Sequence, residues 1–306
     1  MPKLKELLLR SGPCADSVTA LRLYLAALRT PLLRWTAILS RLKFTPAVLD
    51  AVRASELPSE EKGALFSAAM TIFRSGPSFK TTAAGRTPLT DTAILGRLRP
   101  GSLLLETGVS DGSSSLALLE AAGGADVRLS DRQAFYSYAD KGPFRIFYGA
   151  ENGLLSVRLP GFYLCTGTAA PPPPPGARRV ELLNPVLQLR FPAVRLEQFD
   201  VFSGRLERKA DIIKCANVLN SAYFSYPEIA GALRNLSDNL AEGGWLFVSQ
   251  NNARYPNGEA YLALRKEGAS LILREEVNGH ELLPRLRSRE FAGLVSGAPG
   301  EDAQAG

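Results

Sequence analysis

Apolar and polar positions along the chain change period near residue 89. Before it, leucines recur at helical spacing in ADSVTALRLYLAALRTPLLRWTAILSRLKF, and Pro31 divides that stretch into two helices. A third helix is predicted over TPAVLDAVRAS, with Thr45 as cap and Pro46 at the first helical position. A fourth follows in PSEEKGALFSAAMTIFRSG, where Ser59, Glu60 and Glu61 place negative charge at the helix start. A basic amphipathic block of this kind could face a membrane or nucleic acid, and more often packs on its neighbour, which is the expectation here.

After residue 89 the pattern alternates. SLLLETG, DVRLSD, VRLEQFDVF, ADIIKCANVL and WLFVSQN read as strands, separated by helices over Ser113 to Ala122 and around PEIAGALRNLSDNL. Strands alternating with helices predict an α/β fold, a parallel sheet covered on both faces. The alternation breaks between Lys141 and Arg190. There FRIFYGAENGLLSVRLPGFYLCTG predicts a β-hairpin turning at AENG, followed by Pro171 to Pro175, an extended run unable to join a sheet. The resulting division is a helical domain over 1–80, an α/β domain over 81–294 carrying the 141–190 insertion, and a disordered tail over 295–306.

The chain has 45% hydrophobic and 22% charged residues, ordinary for a globular protein. Three scattered cysteines and no CxxC pair predict neither a disulfide framework nor a thiolate zinc site, and fit a reducing cytoplasmic setting. A single histidine, His280, excludes HExxH-type metal chemistry; no metal is expected. No apolar run is long enough to predict a spanning helix. The net charge of +6 admits an anionic partner, nucleic acid included, although an Arg-rich surface alone accounts for it.

The chemistry concentrates in Leu103-Leu-Leu-Glu106-Thr-Gly108-Val-Ser110-Asp111-Gly112, an apolar strand running into a glycine turn with a helix directly after it. Gly108 and Gly112 permit a sharp turn and close approach to a ligand. The following helix start offers free N–H donors to an anionic group, and Glu106 can accept from an ammonium. A GxGxxG dinucleotide fingerprint on Gly108 fails, because positions 110 and 113 are serine. A phosphate-binding loop fails too, since no Gly-Lys-Ser/Thr follows.

The segment resembles the first motif of class I S-adenosylmethionine-dependent methyltransferases, an acidic residue followed by three alternate glycines, with Ser110 in place of the middle one. Further matches follow in order: Asp131 ending DVRLSD, Asp200 and Val201 in QFDVF, Asn217 in ADIIKCANVLN, and Gly243-Gly244 in LAEGGWLFVSQN as a helix stop before the next strand. The resemblance implies a Rossmann-like, doubly wound, mostly parallel seven-stranded sheet that binds S-adenosyl-L-methionine. Glu106, Gly108, Ser110 and Gly112 would meet its amino acid part, Asp131 its ribose, Asp200 and Val201 its adenine, and Asn217 its methionine end. It also implies methyl transfer to a small-molecule or protein acceptor. The exit of the fourth strand lacks the Asn/Asp-Pro-Pro-Tyr-like run of many enzymes that methylate amino nitrogens of bases or Gln side chains. Tyr223, Tyr226 and His280 are candidate acceptor contacts, and no catalytic residue is assigned. A methyltransferase fold without catalysis, serving as a binding or regulatory protein, and a nucleic-acid methyltransferase remain as alternatives.

Overall fold

The structure is a computed structural model that describes residues 10–75, 78–79, 85–151 and 153–297. The chain divides into two compact units, Met1–Thr82 with Gln133–Pro192, and Ala83–Arg132 with Ala193–Gly306.

The first unit combines the N-terminal helices with an antiparallel sheet. Helices α1 (Val18–Arg29) and α2 (Pro31–Leu39) meet at Thr30, and Pro31 opens the second. Helices α3 (Ala47–Ala54) and α4 (Ser59–Met70) follow; Glu60 and Glu61 sit in the first turn of α4. The sheet runs β1-β9-β8-β7-β6-β10, built from β1 (Gly12–Pro13), β6 (Phe135–Lys141), β7 (Phe144–Glu151), β8 (Leu154–Leu159), β9 (Phe162–Ala169) and β10 (Arg178–Glu181). A separate short hairpin joins β2 (Arg74–Ser75) and β3 (Ser78–Phe79). The expected hairpin is present as β7–β8, but it is one part of a six-stranded sheet. The proline run is an exposed link from β9 to β10.

The segment read as an insertion thus groups with the N-terminal helices, and polar ties explain why. Asn184 caps α7 (Pro185–Arg190) by accepting from Val186 N, while its amide donates to Gly63 O and Ser67 Oγ of α4. A Cβ on Gly63 would come within 2.4 Å of Val186, so α4 and α7 meet closely only because that position is glycine. Arg53 of α3 donates to Gln188 Oε1 and to the Leu183 carbonyl. The expectation that the helical block packs on its neighbours holds for α3 and α4, which bury Val48, Leu49, Val52, Phe66 and Met70. It holds in part for α1, which buries Leu21 and half-buries Tyr24, Leu25 and Leu28, and fails for α2, where only Ala37 is buried.

The second unit holds an eight-stranded mixed sheet in the order β11-β5-β4-β12-β13-β14-β15-β16. Strands β11 (Leu196–Gln198), β5 (Asp126–Asp131), β4 (Leu103–Thr107), β12 (Ala210–Ala216) and β13 (Leu240–Asn251) are mutually parallel. Alternate residues face two cores. Leu103, Leu105, Ile213, Cys215, Leu246 and Val248 pack with α8 (Tyr226–Asp238). Leu104, Ile212 and Phe247 pack on the other face, with Ile94 of α5 (Pro88–Leu95) and Leu118 of α6 (Leu116–Ala121). Helices on both faces explain why consecutive residues are apolar in Leu103–Leu105, Ile212–Ile213 and Leu246–Val248.

The seven-stranded expectation is corrected at the far edge. After β13 the chain returns directly as the antiparallel β14 (Glu259–Glu267), then β15 (Ser270–Val277). Asn257 and Gly258 take φ of 55° and 73° at the first reversal, and Gly268, at 60°, opens the two-residue loop of the second. These Asn-Gly and Gly-Ala steps are hairpin signals in the sequence. Val295–Ser296 then forms β16 on β15, so the start of the expected disordered tail is strand; residues 298–306 lie outside the described residues.

The glycine pair also differs from expectation. Helix α8 starts with a capping box of Ser225 and Glu228 and ends at Asn239. Gly243 and Gly244 lie within β13, at the irregular stretch where pairing with β12 skips from Leu240 to Trp245.

Glu259 at the start of β14 is fully buried and caps α5, accepting from Leu89 N, Thr90 N and Thr90 Oγ1. Glu259→Ala strands these donors and is expected to cost about 2 kcal/mol or more, read as a lower midpoint in urea unfolding.

Candidate functional site

From β4 the chain winds outward through β5 to β11; it then crosses to β12 and winds the other way to β13. Strands β4 and β12 are therefore neighbours from which the sheet is wound in opposite directions, so their carboxyl ends mark a topological switch point. In open α/β sheets that switch point is where ligands bind.

The loop leaving β4 is held open by its backbone. Gly108 and Gly112 have φ of 76° and 79°. A Cβ on Gly108 would lie 2.1 Å from Val218 Cγ2, on the exit of β12, so only glycine fits there. Gly108 N and Val109 N donate to the Ser130 carbonyl, fastening the loop to β5. Ser110 occupies the left-handed region at φ 60°, at an expected cost of about 1–2 kcal/mol. Its N–H donates to Asp131 Oδ2 at 2.9 Å. Asn217, leaving β12, has φ 60° as well and pairs with Asn251 in both directions, at 2.7 and 2.8 Å. Two non-glycine residues in strained backbone thus flank the switch point, a pattern associated with functional sites.

Glu106 points inward and is buried. Lys214, in the middle of β12 with no exposed surface, bridges Glu106 Oε1 at 2.7 Å and Asp91 Oδ1 of α5 at 2.6 Å. Burial drives the Asp91 carboxyl up to about 6 against the pull of Lys214. Burial also works against the Lys214 charge, but Glu106 and Asp91 outweigh it and hold the ammonium above its ordinary value. Glu106 Oε2 remains buried with no partner, as do the hydroxyls of Thr107, Ser110, Ser115 and Ser249.

The sequence-predicted residues divide on this geometry. Glu106, Gly108, Ser110, Gly112, Asp131 and Asn217 gather at the ends of β4, β5 and β12. Asp200 and Val201 follow β11, one strand beyond β5. Asp200 Oδ1 accepts from Phe202 N, and its other oxygen lies 3.5 Å from Arg132 Nε. Val201 is a core residue, packed with Phe199. The expected helix start after Gly112 is replaced by a 3-10 turn, Ser113–Ser115, and Asp111 Oδ1 already accepts from Ser113 N. The three acceptor candidates do not converge on one feature. Tyr223 is exposed, and Tyr226 opens α8 beneath Arg285. His280 is buried, takes Leu282 N–H on Nδ1, and keeps Nε2 unpartnered.

Lys214, Asp91 and Ser249 were not legible as site residues. The signal for Lys214 was present: a lone lysine inside ADIIKCANV, since a charge in a buried strand requires carboxylate partners.

No known family model and no curated protein matches the chain. Solved structures of S-adenosylmethionine-dependent methyltransferases match it across much of its length. An amino pentose methyltransferase from Micromonospora echinaspora, with its cofactor bound, is 14% identical over 58% of this chain and 62% of its own, at a TM-score of 0.31. The magnesium protoporphyrin IX methyltransferase of Synechocystis is 16% identical over 64% and 66%, also at 0.31. An O-methyltransferase family 2 protein from Planctomyces limnophilus, in complex with apigenin, is 14% identical over 67% and 48%, at 0.34. The chain spans about two thirds or less of the length of these three proteins.

Two outcomes test the electrostatics. Lys214→Met leaves two buried carboxylates without a counter-charge and is expected to cost about 3–5 kcal/mol; a Lys214→Met, Asp91→Asn, Glu106→Gln variant should recover most of that loss in urea unfolding. Burial lowers His280 to about 4, below its unfolded value of about 6.5. Below pH 6.5 the unfolded chain therefore takes up a proton that the native state excludes. Stability should fall by about 2–3 kcal/mol as pH drops from 6.5 towards 4. His280→Gln should remove that component, read as convergence of the two unfolding midpoints at acid pH.

Proposed function

We propose that the chain is an S-adenosylmethionine-dependent methyltransferase acting on a small-molecule or protein acceptor. The observation that carries this reading is the group of buried polar atoms without a hydrogen-bond partner among the described residues, gathered at the switch point beside the glycine loop and the Asn217 exit. Buried polar atoms are nearly always satisfied, so a concentration of orphans at a predicted cofactor loop suits an absent polar ligand. Glu106 Oε2 suits an ammonium, and the Ser110, Ser115 and Ser249 hydroxyls suit polar oxygens. Asp131 would share its carboxylate between the Ser110 amide and a ribose, while Asp200 and Val201 would lie toward the base.

The cofactor supplies an activated methyl group on a positively charged sulfur. The chain's own part is to orient donor and acceptor and to exclude water, which is where most of the acceleration of such a displacement arises. Lys214 holds Glu106 in place from behind. No general base is assigned: His280 is buried and neutral at pH 7, and Tyr223 is exposed.

A second reading, a methyltransferase fold used for binding alone, is favoured by a specific feature. Glu106 Oε1, the Asp131 carboxylate and the Asn217 amide are each engaged within the chain. Calorimetric titration separates the two. S-adenosylmethionine and S-adenosylhomocysteine should bind the wild type, and Gly108→Arg should abolish binding by filling the loop against Val218. Asp131→Ala should weaken it by about ten- to a hundredfold. A folded wild type that binds neither compound would establish the non-catalytic reading.

A further inference from the structure

We propose that helices α1 and α2 form a docking surface for an anionic membrane, held by shallow insertion of α2 and by arginines around it. This inference is independent of the methyl-transfer reading.

Helix α2 is unusual for a surface helix. Leu32, Trp35 and Leu39 are 88%, 69% and 74% exposed, with Leu33, Ile38 and Leu23 of α1 also open. Of its nine residues only Ala37 is buried. At 100° per residue the exposed apolar side chains Leu32, Leu33, Trp35, Ile38 and Leu39 sweep about 220° of the helix circumference. A helix seated in a protein groove needs a stripe of about 100°. An arc twice as wide suits immersion in a continuous apolar phase.

The hydroxyls of α2 and its two flanking residues are already satisfied internally. Thr30 Oγ1 donates to the Ala26 carbonyl, Thr36 Oγ1 to that of Leu33 and Ser40 Oγ to that of Ala37. No hydroxyl in the 30–40 segment needs water, which is the requirement for entering a lipid phase.

The charge around the arc selects the occupant. From Ser17 to Leu49 there is no acidic residue, while Arg22, Arg29, Arg34, Arg41 and Lys43 are basic. Arg22 is paired with Glu61. Arg29, Arg34 and Arg41 are exposed and form no ion pair among the described residues. A second copy of this face would bring like charges together, whereas anionic headgroups would neutralise them. Leucine and tryptophan on one side with arginine at the borders is the composition of helices that lie in the membrane interface. No helix of the described residues is long and apolar enough to cross the bilayer, so the contact is superficial.

The test is sedimentation of the full chain with phosphatidylcholine vesicles, with and without phosphatidylglycerol. The wild type should pellet with the anionic vesicles and be released by added salt. In a Trp245→Phe background, Trp35 is the sole tryptophan, and its emission should move to shorter wavelength on binding. Arg29→Glu with Arg34→Glu should reduce partitioning roughly thirtyfold. Leu32→Ser with Trp35→Ser should reduce it at least about tenfold while leaving the melting temperature of these exposed sites unchanged. The proposal is overturned if the wild type stays in the supernatant with anionic vesicles, or if pelleting survives the Leu32→Ser, Trp35→Ser change. It is overturned equally if the wild type is a dimer that this double substitution separates while vesicle binding is absent, which would assign the face to a second copy.

Discussion

Lys214 has no exposed surface, and among the described residues its ammonium is compensated by Asp91 and Glu106. An uncompensated charge at that depth would be worth several kcal/mol against folding, so three elements must arrive together: β12 with the lysine, β4 with Glu106, and α5 with Asp91. Helix α5 is pinned a second time, by Glu259 reaching its first turn from β14. The buried ionic cluster thereby fixes the register of the sheet centre and the seat of the helix beside it. Glu106 is immobilised two residues before the glycine loop begins.

That immobility gives the loop its character. Between Glu106 and Ser115 the chain takes three positive-φ positions, Gly108, Ser110 and Gly112, and the loop is tied laterally to Ser130 and Asp131. On the facing exit, Asn217 is held in its own left-handed conformation by Asn251. Strain on both sides of a switch point persists only when its surroundings over-determine it. Here they are a buried ion cluster below and reciprocal amide bonds at the rim. The arrangement is pre-organised, which reduces the ordering cost that ligand binding would otherwise carry.

The first unit follows a different economy of contacts. Its sheet and helices α3, α4 and α7 are joined by polar side chains, the buried Asn184 and the half-buried Arg53 foremost, whereas α2 leaves most of its apolar surface in solvent and α1 exposes Leu23. An apolar face that the fold does not use is the basis for reading a membrane contact there, and its arginines give that contact a preferred charge.

Local pattern carried a large share of this fold. Pro31 splitting two helices, the apolar runs of β4, β5, β12 and β13, the β7–β8 hairpin and the glycine loop at 108–112 all depend on backbone preferences and periodicity that act within a few residues. The same locality misread other segments. Gly243-Gly244 looked like a helix stop, but Asn239 had already ended α8 and the glycines bend β13; the Asn257-Gly258 and Gly268-Ala269 reversals, local signals in their own right, went unread and concealed the antiparallel edge. What only the tertiary structure decided is which distant groups meet. The Lys214 cluster joins residues 91, 106 and 214, Asp131 turns toward Ser110, and residues 133–192 group with the N-terminal helices. Those choices depend on burial and long-range charge pairing, and a charged side chain acquires its partner only when the whole sheet closes around it.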